Sequence, residues 1–492
     1  MAKFYVTTPI YYINDKPHIG HAYSTFAADV LARYHRQKGE QVLFSAGVDE
    51  NSQKTVQAAE KASQSTAEYT KAMSDIWGQT WKQSEISNDA FIRTTSPEHK
   101  KAVTEFIKRV QAKGDLYKGT YEGWYCVGCE EFKKEEELQD GLCPIHQKKA
   151  DYIKEDNYFF KLSNYQQALL DHIEQHPEFI QPESRRNEVV AFIKRGLHDF
   201  SVSRSTQKWG IPWPGDDKQV VYVWFDALVN YLTAAGFPNE KYQDFWPADL
   251  HIVGKDIIKF HCIYWPAMLM SAGIELPKTI FGHGFFTIDG QKVSKSLGNA
   301  IDPVELAGNY GIDALRYYLL SEFPFGADGE FSHDRFVAVY NADLANDLGN
   351  LVQRVQVMFN KYLDGIIGDL PQHSHDVAPF EQAMDEIRLD KALAEVWLLI
   401  RGLNQYLEEE QPWKLAKSDV GHLTEVLHHA VADLVQIATM LMPFMPTTAA
   451  KIAATFSGGV ARPEVGLLFP KYEAQPESDV IEKTTFSGPG EA

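Results

Sequence analysis

The sequence predicts an α/β protein: a parallel-sheet domain interrupted by a small cysteine-bearing insertion and followed by an all-α bundle. Three observations carry this expectation. First, residues 4–9 are β-rich and lead through a turn-prone Asn14-Asp15-Lys16-Pro17 into apolar positions at helical spacing (Phe26, Ala27, Val30, Leu31, Tyr34), with Gly39 placed to stop the helix. Val42-Leu43-Phe44 follows as a buried strand, which makes a βαβ unit and hence a parallel sheet. Second, cysteines and crowded charges appear between Gly119 and Ala150, the texture of an inserted module. Third, strand signals stop beyond about residue 335 and amphipathic helices take over.

Further strands are expected at Val220-Val221-Tyr222-Val223-Trp224, resuming the sheet, and at His251-Ile252-Val253-Gly254. On one helix Leu344, Leu348, Leu351, Val352, Val355 and Phe359 cluster within about 100° of arc, leaving Asn350 and Arg354 on the opposite, solvated side. From about Ala474 the chain is rich in Glu, Ser, Thr, Pro and Gly without periodicity, and a disordered tail is expected.

At 492 residues the chain exceeds one ordinary core, so two to four packed units are expected. Hydrophobic residues at 44% and charged residues at 23% are ordinary for a water-soluble fold. No apolar run approaches the roughly 20 residues that span a bilayer, so no membrane partner is expected. The start carries no signal-peptide pattern. Four cysteines in this length do not form a disulfide framework, and a reducing cytoplasm is the expected setting. The net charge of −19 argues against a general nucleic-acid binder, although a basic face can be local.

Two motifs suit phosphate. His18-Ile19-Gly20-His21 stands where the first strand's connection enters the first helix. A helix N-terminus offers unpaired N–H groups and partial positive charge, histidines add donors, and Gly20 allows close approach of a nucleotide. Alone, the motif reads equally as two surface histidines near a cap. Lys292-Val293-Ser294-Lys295-Ser296, after the glycine-rich 281–284 stretch, reads either as a solvated basic loop or as a polyphosphate clamp. A third motif suits a metal: Cys126-Val127-Gly128-Cys129 and Cys143-Pro144-Ile145-His146 give Cys-x2-Cys, a gap and Cys-x2-His. Four N/S ligands with no open position describe one structural, tetrahedral Zn²⁺. Cys262 lies in an apolar stretch and reads as core.

The pairing of His-x-Gly-His with a distant Lys-x-Ser-Lys-Ser resembles the signature of the class I aminoacyl-tRNA synthetases; Val293 stands where Met is usual there. The runs 7–14, Trp224-Phe225-Asp226-Ala227-Leu228, 254–261 and Trp265-Pro266-Ala267-Met268-Leu269 are similar to the methionine-specific branch, and the resemblance covers about residues 3–415. It implies a Rossmann-like catalytic domain in two halves (1–117 and 221–289) around a zinc-knuckle connective domain (118–220). A signature-loop and stem-contact region (290–334), a helical anticodon-binding domain (335–473) and the tail (474–492) would follow.

The resemblance implies a catalytic role for His18, His21, Lys292 and Lys295. The same four, with Gly20, Gly254 and Asp256, would meet ATP and its Mg²⁺. The methionine pocket would use Pro9, Ile10, Tyr12, Asp49, Trp224 and Ala227, together with Leu228, Tyr231, Ile257, Phe260, His261 and Trp265. Asp49 suits the substrate ammonium, aromatic walls suit a thioether, and Tyr12 or His261 can donate weakly to sulfur. Without the resemblance, Trp224, Phe260 and Trp265 read as ordinary core. Asn350, Arg354 and Trp413 would read the anticodon, since splayed bases stack on aromatics and bond to amides and guanidinium groups.

Three features depart from the branch. Asn51-Ser52 replaces the usual His-Gly, so no site role is assigned to either; Leu228 stands where Pro is frequent; the knuckle is single. Glu408-Glu409-Glu410 is an odd neighbour for RNA beside Trp413. The expected substrates are ATP, L-methionine and tRNA(Met), initiator included, acted on by a monomer. A leucine, isoleucine or valine enzyme would need a long editing insertion between the signatures. A free-standing nucleotidyltransferase would not need the helical third, and a zinc-ribbon RNA-binding protein would not need the phosphate motifs.

Overall fold

A computed structural model describes residues 2–144, 148–288, 300–371, 375–456 and 466–472, and the backbone of 291–292. The expected tail from Ala474, His146, the side chain of Lys292 and all of Lys295 lie outside the described residues. The chain forms two compact units, Met1–Pro17 with His35–His283, and His18–Tyr34 with Gly284–Ala492.

The first unit is organised by six parallel strands: β1 (Lys3–Tyr12), β2 (Gln41–Asp49), β3 (Ala90–Arg93), β4 (Ile180–Gln181), β5 (Leu250–Gly254) and β6 (Thr279–His283), in the order β3-β2-β1-β5-β6-β4. Central β1 is buried continuously from Tyr5 to Pro9, as a strand covered on both faces must be. Its buried hydroxyl on Thr7 pairs with His251 Nδ1 on β5 at 2.7 Å. The β1–β2 register shifts between Thr7 and Ile10, where Pro9 has no N–H to give the ladder. Beyond the shift, Tyr12 stands opposite Asp49.

Between β3 and β4 an antiparallel sheet begins with Leu116–Cys126, which pairs on its two sides with Glu131–Lys133 and Asp151–Phe160. The expectation that 220–224 resumes the parallel sheet is corrected. Asp216–Val221 belongs to a separate three-stranded sheet, and Val223–Ala227 is a short helix. A continuous apolar run says that a segment is buried but does not separate strand from helical turn.

In the second unit, α1 (Ile19–Gln37) is buried on nearly every side and encloses Asp29 completely. That carboxylate pairs with Arg33 one turn on, at 2.7 Å, and with the equally buried Arg316 of α2 (Ile312–Ser321), also at 2.7 Å. Arg316 also donates to the Phe444 and Pro443 carbonyls at 2.7 and 3.0 Å. Later helices are α3 (Asn350–Tyr362), which follows a wide-turned π stretch over Tyr340–Gly349, α4 (Leu389–Glu410), α5 (Pro412–Ser418) and α6 (Val420–Leu441). The stripe from Leu344 to Phe359 is buried as its spacing predicts. Among the described residues the last strand is Gly329–Glu330, and no helix is long and apolar enough to cross a membrane.

Breaking a buried ion pair by removing one partner strands the other charge, at a cost of about 3–5 kcal/mol. Because Asp29 keeps Arg33, Arg316→Met is expected to lower stability by part of that amount, read by denaturant titration followed by circular dichroism. An unchanged midpoint would show that Asp29 does not depend on Arg316.

Candidate active site

Strands β2, β1 and β5 are parallel neighbours, so Asp49, Tyr12 and Gly254 stand together at the carboxyl edge of the sheet, where open α/β sheets bind ligands. Asp49 is 2% exposed. It accepts the Asn51 N–H at 3.0 Å and the Thr94 hydroxyl at 3.4 Å, and among the described residues no cation pairs with it. Burial, reinforced by repulsion from Glu130 and Glu50, pushes its pKa up to about 7. Asp226, on the Val223–Ala227 helix, is fully buried and raised well above the ordinary carboxylate range by desolvation and then by Asp49. Asn51 bridges the two acids: its N–H goes to Asp49, and its Nδ2 donates to Asp226 Oδ2 at 3.0 Å. Asn51, to which the sequence assigns no site role, thus links two buried acids. Ser52 caps the Gln53–Lys61 helix through its hydroxyl.

Aromatic walls surround these acids. Tyr12 meets Trp224 edge-on at 6.3 Å, and Trp224 stacks on Phe260 with centroids 3.8 Å apart and planes 5° from parallel. Tyr231 lies 6.1 Å from Trp265, with Ala227 and Leu228 buried on the same chain segment. Pro9 and Ile10 sit at the β1 register shift, and Ile257 packs partly buried against this core. Phe260 and His261 lie on a second π-type stretch, Phe260–Tyr264, which runs into the helix Trp265–Ala272. Such widened turns occur frequently at functional sites.

The hydrogen bonds decide which group faces a thioether. His261 Nδ1 lies 2.9 Å from the Ile257 carbonyl, which can only accept, so Nδ1 carries the proton. His261 Nε2 must then accept from the Tyr231 hydroxyl at 2.7 Å. Burial lowers the His261 pKa to about 4 and keeps the ring neutral. Both nitrogens are used, so His261 is removed as a donor to sulfur. The Tyr12 hydroxyl is buried with no partner among the described residues, as are Trp224 Nε1 and Trp265 Nε1. Sequence reasoning also missed two charged groups. Lys54 Nζ lies 4.5 Å over the Tyr12 ring, and burial lowers its pKa. Buried Glu130 accepts the Lys54 N–H at 3.0 Å and the Tyr125 hydroxyl. Only its position directly after Cys129 could have pointed to Glu130.

In the second unit, His18 precedes α1. Its Nδ1 accepts the Gly20 N–H at 3.1 Å, and its own N–H goes to His21 Nδ1 at 3.1 Å. Each Nδ1 is an acceptor, so in the neutral rings each Nε2 carries the proton. The rings lie 3.8 Å apart, and a Cβ at Gly20 would sit 2.9 Å from His18 Cε1. The arrangement provides two imidazole N–H donors at a helix N-terminus. Lys292 is on a short strand, Gln291–Lys292, paired with Phe286–Ile288. In the first unit Gly254 ends β5 and Asp256 is exposed on the following turn.

The cysteines converge as their spacing predicts. Cys126 ends its strand, the turn returns Cys129, and Cys143 is held by its N–H to the Lys148 carbonyl at 2.9 Å. The three sulfurs lie within 4.8 Å of one another, Cys129 and Cys143 at 3.5 Å. Contact with Cys126, together with burial, raises the Cys129 pKa far above the usual thiol range. Three packed sulfurs are the donor set that a soft divalent cation satisfies.

In the helical region Asn350 is exposed at the start of α3, but Arg354 is not simply solvated. Its Nη1 pairs with Glu408 Oε1 at 2.5 Å and its Nη2 donates to Asn404 Oδ1 at 3.1 Å. Trp413, half-buried on α5, follows Gln411, whose left-handed φ of 47° ends α4. Helices α3 and α5 touch.

Comparison with known proteins agrees with this geometry. The family model "tRNA synthetases class I (M)" matches residues 4–152 and 133–356, and "Anticodon binding domain of methionyl tRNA ligase" matches 367–463. A methionine–tRNA ligase of Caldanaerobacter subterraneus subsp. tengcongensis is 47% identical over 465 residues, covering 91% of this chain and 73% of the relative. That of Streptomyces coelicolor is 45% identical over 492 residues, covering 94% and 91%. A solved Mycobacterium tuberculosis methionyl-tRNA synthetase in complex with methionyl-adenylate superposes with a TM-score of 0.90 at 41% identity, covering 96% of this chain and 100% of that one. The chain belongs to the methionyl family of class I tRNA synthetases.

Proposed function

We propose that Asp49 receives the α-ammonium of methionine and that the walls formed by Tyr12, Trp224, Phe260, Tyr231 and Trp265 hold its thioether, with the Tyr12 hydroxyl toward sulfur. The enzyme is a methionine–tRNA ligase: it activates L-methionine with ATP to methionyl-adenylate, then transfers methionine to tRNA(Met), releasing AMP and pyrophosphate. The observation that supports the residue assignment is a buried carboxylate that pairs with no cation among the described residues, beside the Tyr12 and Trp224 rings.

In the first step a carboxylate oxygen of methionine attacks the α-phosphorus of ATP. The new P–O bond forms as the bond to the bridging oxygen breaks, and that electron pair leaves with pyrophosphate. The attacking group is already ionised, so no protein base is required and the task is positioning and charge stabilisation. His18 and His21 donate through Nε2–H to phosphate oxygens, and Lys292 and Lys295 add positive charge. Gly20, Gly254 and Asp256 meet the nucleotide, and Mg²⁺ arrives with ATP as part of the substrate. In the second step a terminal ribose hydroxyl of tRNA attacks the mixed anhydride carbonyl and AMP leaves.

Cys126, Cys129, Cys143 and His146 hold one Zn²⁺ that fastens the 118–220 insertion and thereby fixes Glu130 beside the pocket. Asn350, Arg354 and Trp413 contact the anticodon through the 335–473 region, in initiator and elongator tRNA(Met) alike. The reaction runs in a monomer in the cytoplasm.

Metal binding and local folding are coupled. Cys143→Ser is accordingly expected to release one equivalent of zinc by elemental analysis and to lower the thermal midpoint. Retention of that zinc would remove the cysteine cluster as its holder. For the anticodon, Trp413→Ala deletes a stacking face worth roughly 1–3 kcal/mol, a loss of about ten- to a hundredfold in tRNA affinity. Methionine-dependent pyrophosphate exchange without tRNA is expected to be unchanged while tRNA charging falls. Loss of both would make Trp413 a core residue, and loss of neither would end the anticodon assignment.

A further inference from the structure

The helical part of the second unit contains a ligand cluster that the ligase reaction does not use. His429 and Asp433 stand one turn apart on α6, and His375 reaches them from the segment preceding the helix Ala378–Asp385. His375 Nε2 lies 3.0 Å and His429 Nε2 3.5 Å from the same atom, Asp433 Oδ2, and the three ligand atoms all lie within 4.8 Å of one another. Metal–ligand bonds of about 2.1 Å put neighbouring donors about 3.0–3.4 Å apart in octahedral or tetrahedral shells, so the two imidazole–carboxylate distances are close to coordination edges and the third donor pair lies within 4.8 Å. The Asp433 side chain is 7% exposed, while each histidine is 35% exposed. The carboxylate is thus anchored in the bundle and the imidazoles remain reachable by an ion with its waters. Tyr406 packs edge-on to His429 with centroids 4.9 Å apart, limiting its rotation. Gln436, next on the same face of α6, donates to the His375 carbonyl at 3.4 Å, and its buried Oε1 has no partner among the described residues.

We propose that His375, His429 and Asp433 form a second metal site, for a divalent first-row transition ion held by two imidazoles and one carboxylate. Two neutral imidazoles and one carboxylate suit Zn²⁺, Ni²⁺, Cu²⁺ or Fe²⁺ and leave open positions for water. The ion pins the segment before Ala378 to α6 and so stiffens the bundle. The competing account is that Asp433 merely accepts two imidazole N–H bonds. The site stands apart from the cysteine cluster in sequence and in ligand type, and does not rest on the assignment of zinc there.

The test is zinc stoichiometry. Chelator-stripped protein is equilibrated by dialysis against buffered Zn²⁺ and its metal counted by elemental analysis. Cys143→Ser is expected to keep an equivalent of zinc that the double variant Cys143→Ser/His429→Ala loses. His172→Ala, which removes another closely spaced histidine pair, with His176, is expected to lose none. His375→Gln, altering the ligand outside α6, is expected to lose the same equivalent as His429→Ala. Pyrophosphate exchange and circular dichroism are expected to be unchanged in both and report that they are folded. Equal zinc with and without His429, or loss of zinc in His172→Ala, overturns the site.

Discussion

The pocket depends on how a low-dielectric space is made to hold four carboxylates. Asp49, Glu50, Glu130 and Asp226 are all buried, and an isolated buried charge is costly enough that each must be paired, hydrogen-bonded or neutralised. Each answers differently. Glu50 takes Arg93 at 2.7 Å, together with the hydroxyls of Ser74 and Thr95. Glu130 takes the Tyr125 hydroxyl and the Lys54 amide. Asp226, whose pKa burial and the neighbouring Asp49 raise well above the carboxylate range, accepts the Asn51 amide on its Oδ2. Asp49 is left near its midpoint at neutral pH and pairs with no cation among the described residues, which is the basis for proposing it as the ammonium's partner.

The scaffold that delivers these groups follows from the sheet. Parallel pairing brings Tyr12 and Asp49 into register at one edge, and the Pro9 interruption sets the register there. The insertion then contributes Glu130 through the turn that also carries Cys129, so the cysteine cluster and a buried carboxylate beside Lys54 share one hairpin. Glu408 and Asn404 fasten Arg354, so the acidic 408–410 run has a partner within the bundle and the carboxylate orients the guanidinium.

What was legible in the sequence was local. The β1–α1–β2 unit, the Gly39 stop with φ of 80°, the cysteine convergence and the apolar stripe from Leu344 to Phe359 follow from spacing within one or two elements. What was not legible depends on long-range partners. Val220–Trp224 is apolar enough for a strand, yet Val221 donates to Ile211 and Tyr222 to Val202, which draws the run into the insertion before it turns helical. Asn51 has its side-chain partner only once Asp226, 175 residues later, is beside it. His261 loses its donor role to Tyr231, and Arg354 acquires partners from α4, neither of which any linear pattern encodes.

The claim that Asp49 awaits a cation is tested by methionine affinity against pH, measured calorimetrically without ATP or tRNA. If binding requires the ionised carboxylate, affinity is flat above about pH 7 and weakens by up to about tenfold per unit below it, because the proton competes with the ligand. Asp49→Asn should bind weakly and lose that slope. A wild-type affinity unchanged across the same range, or an Asp49→Asn variant that keeps the slope, would contradict the account.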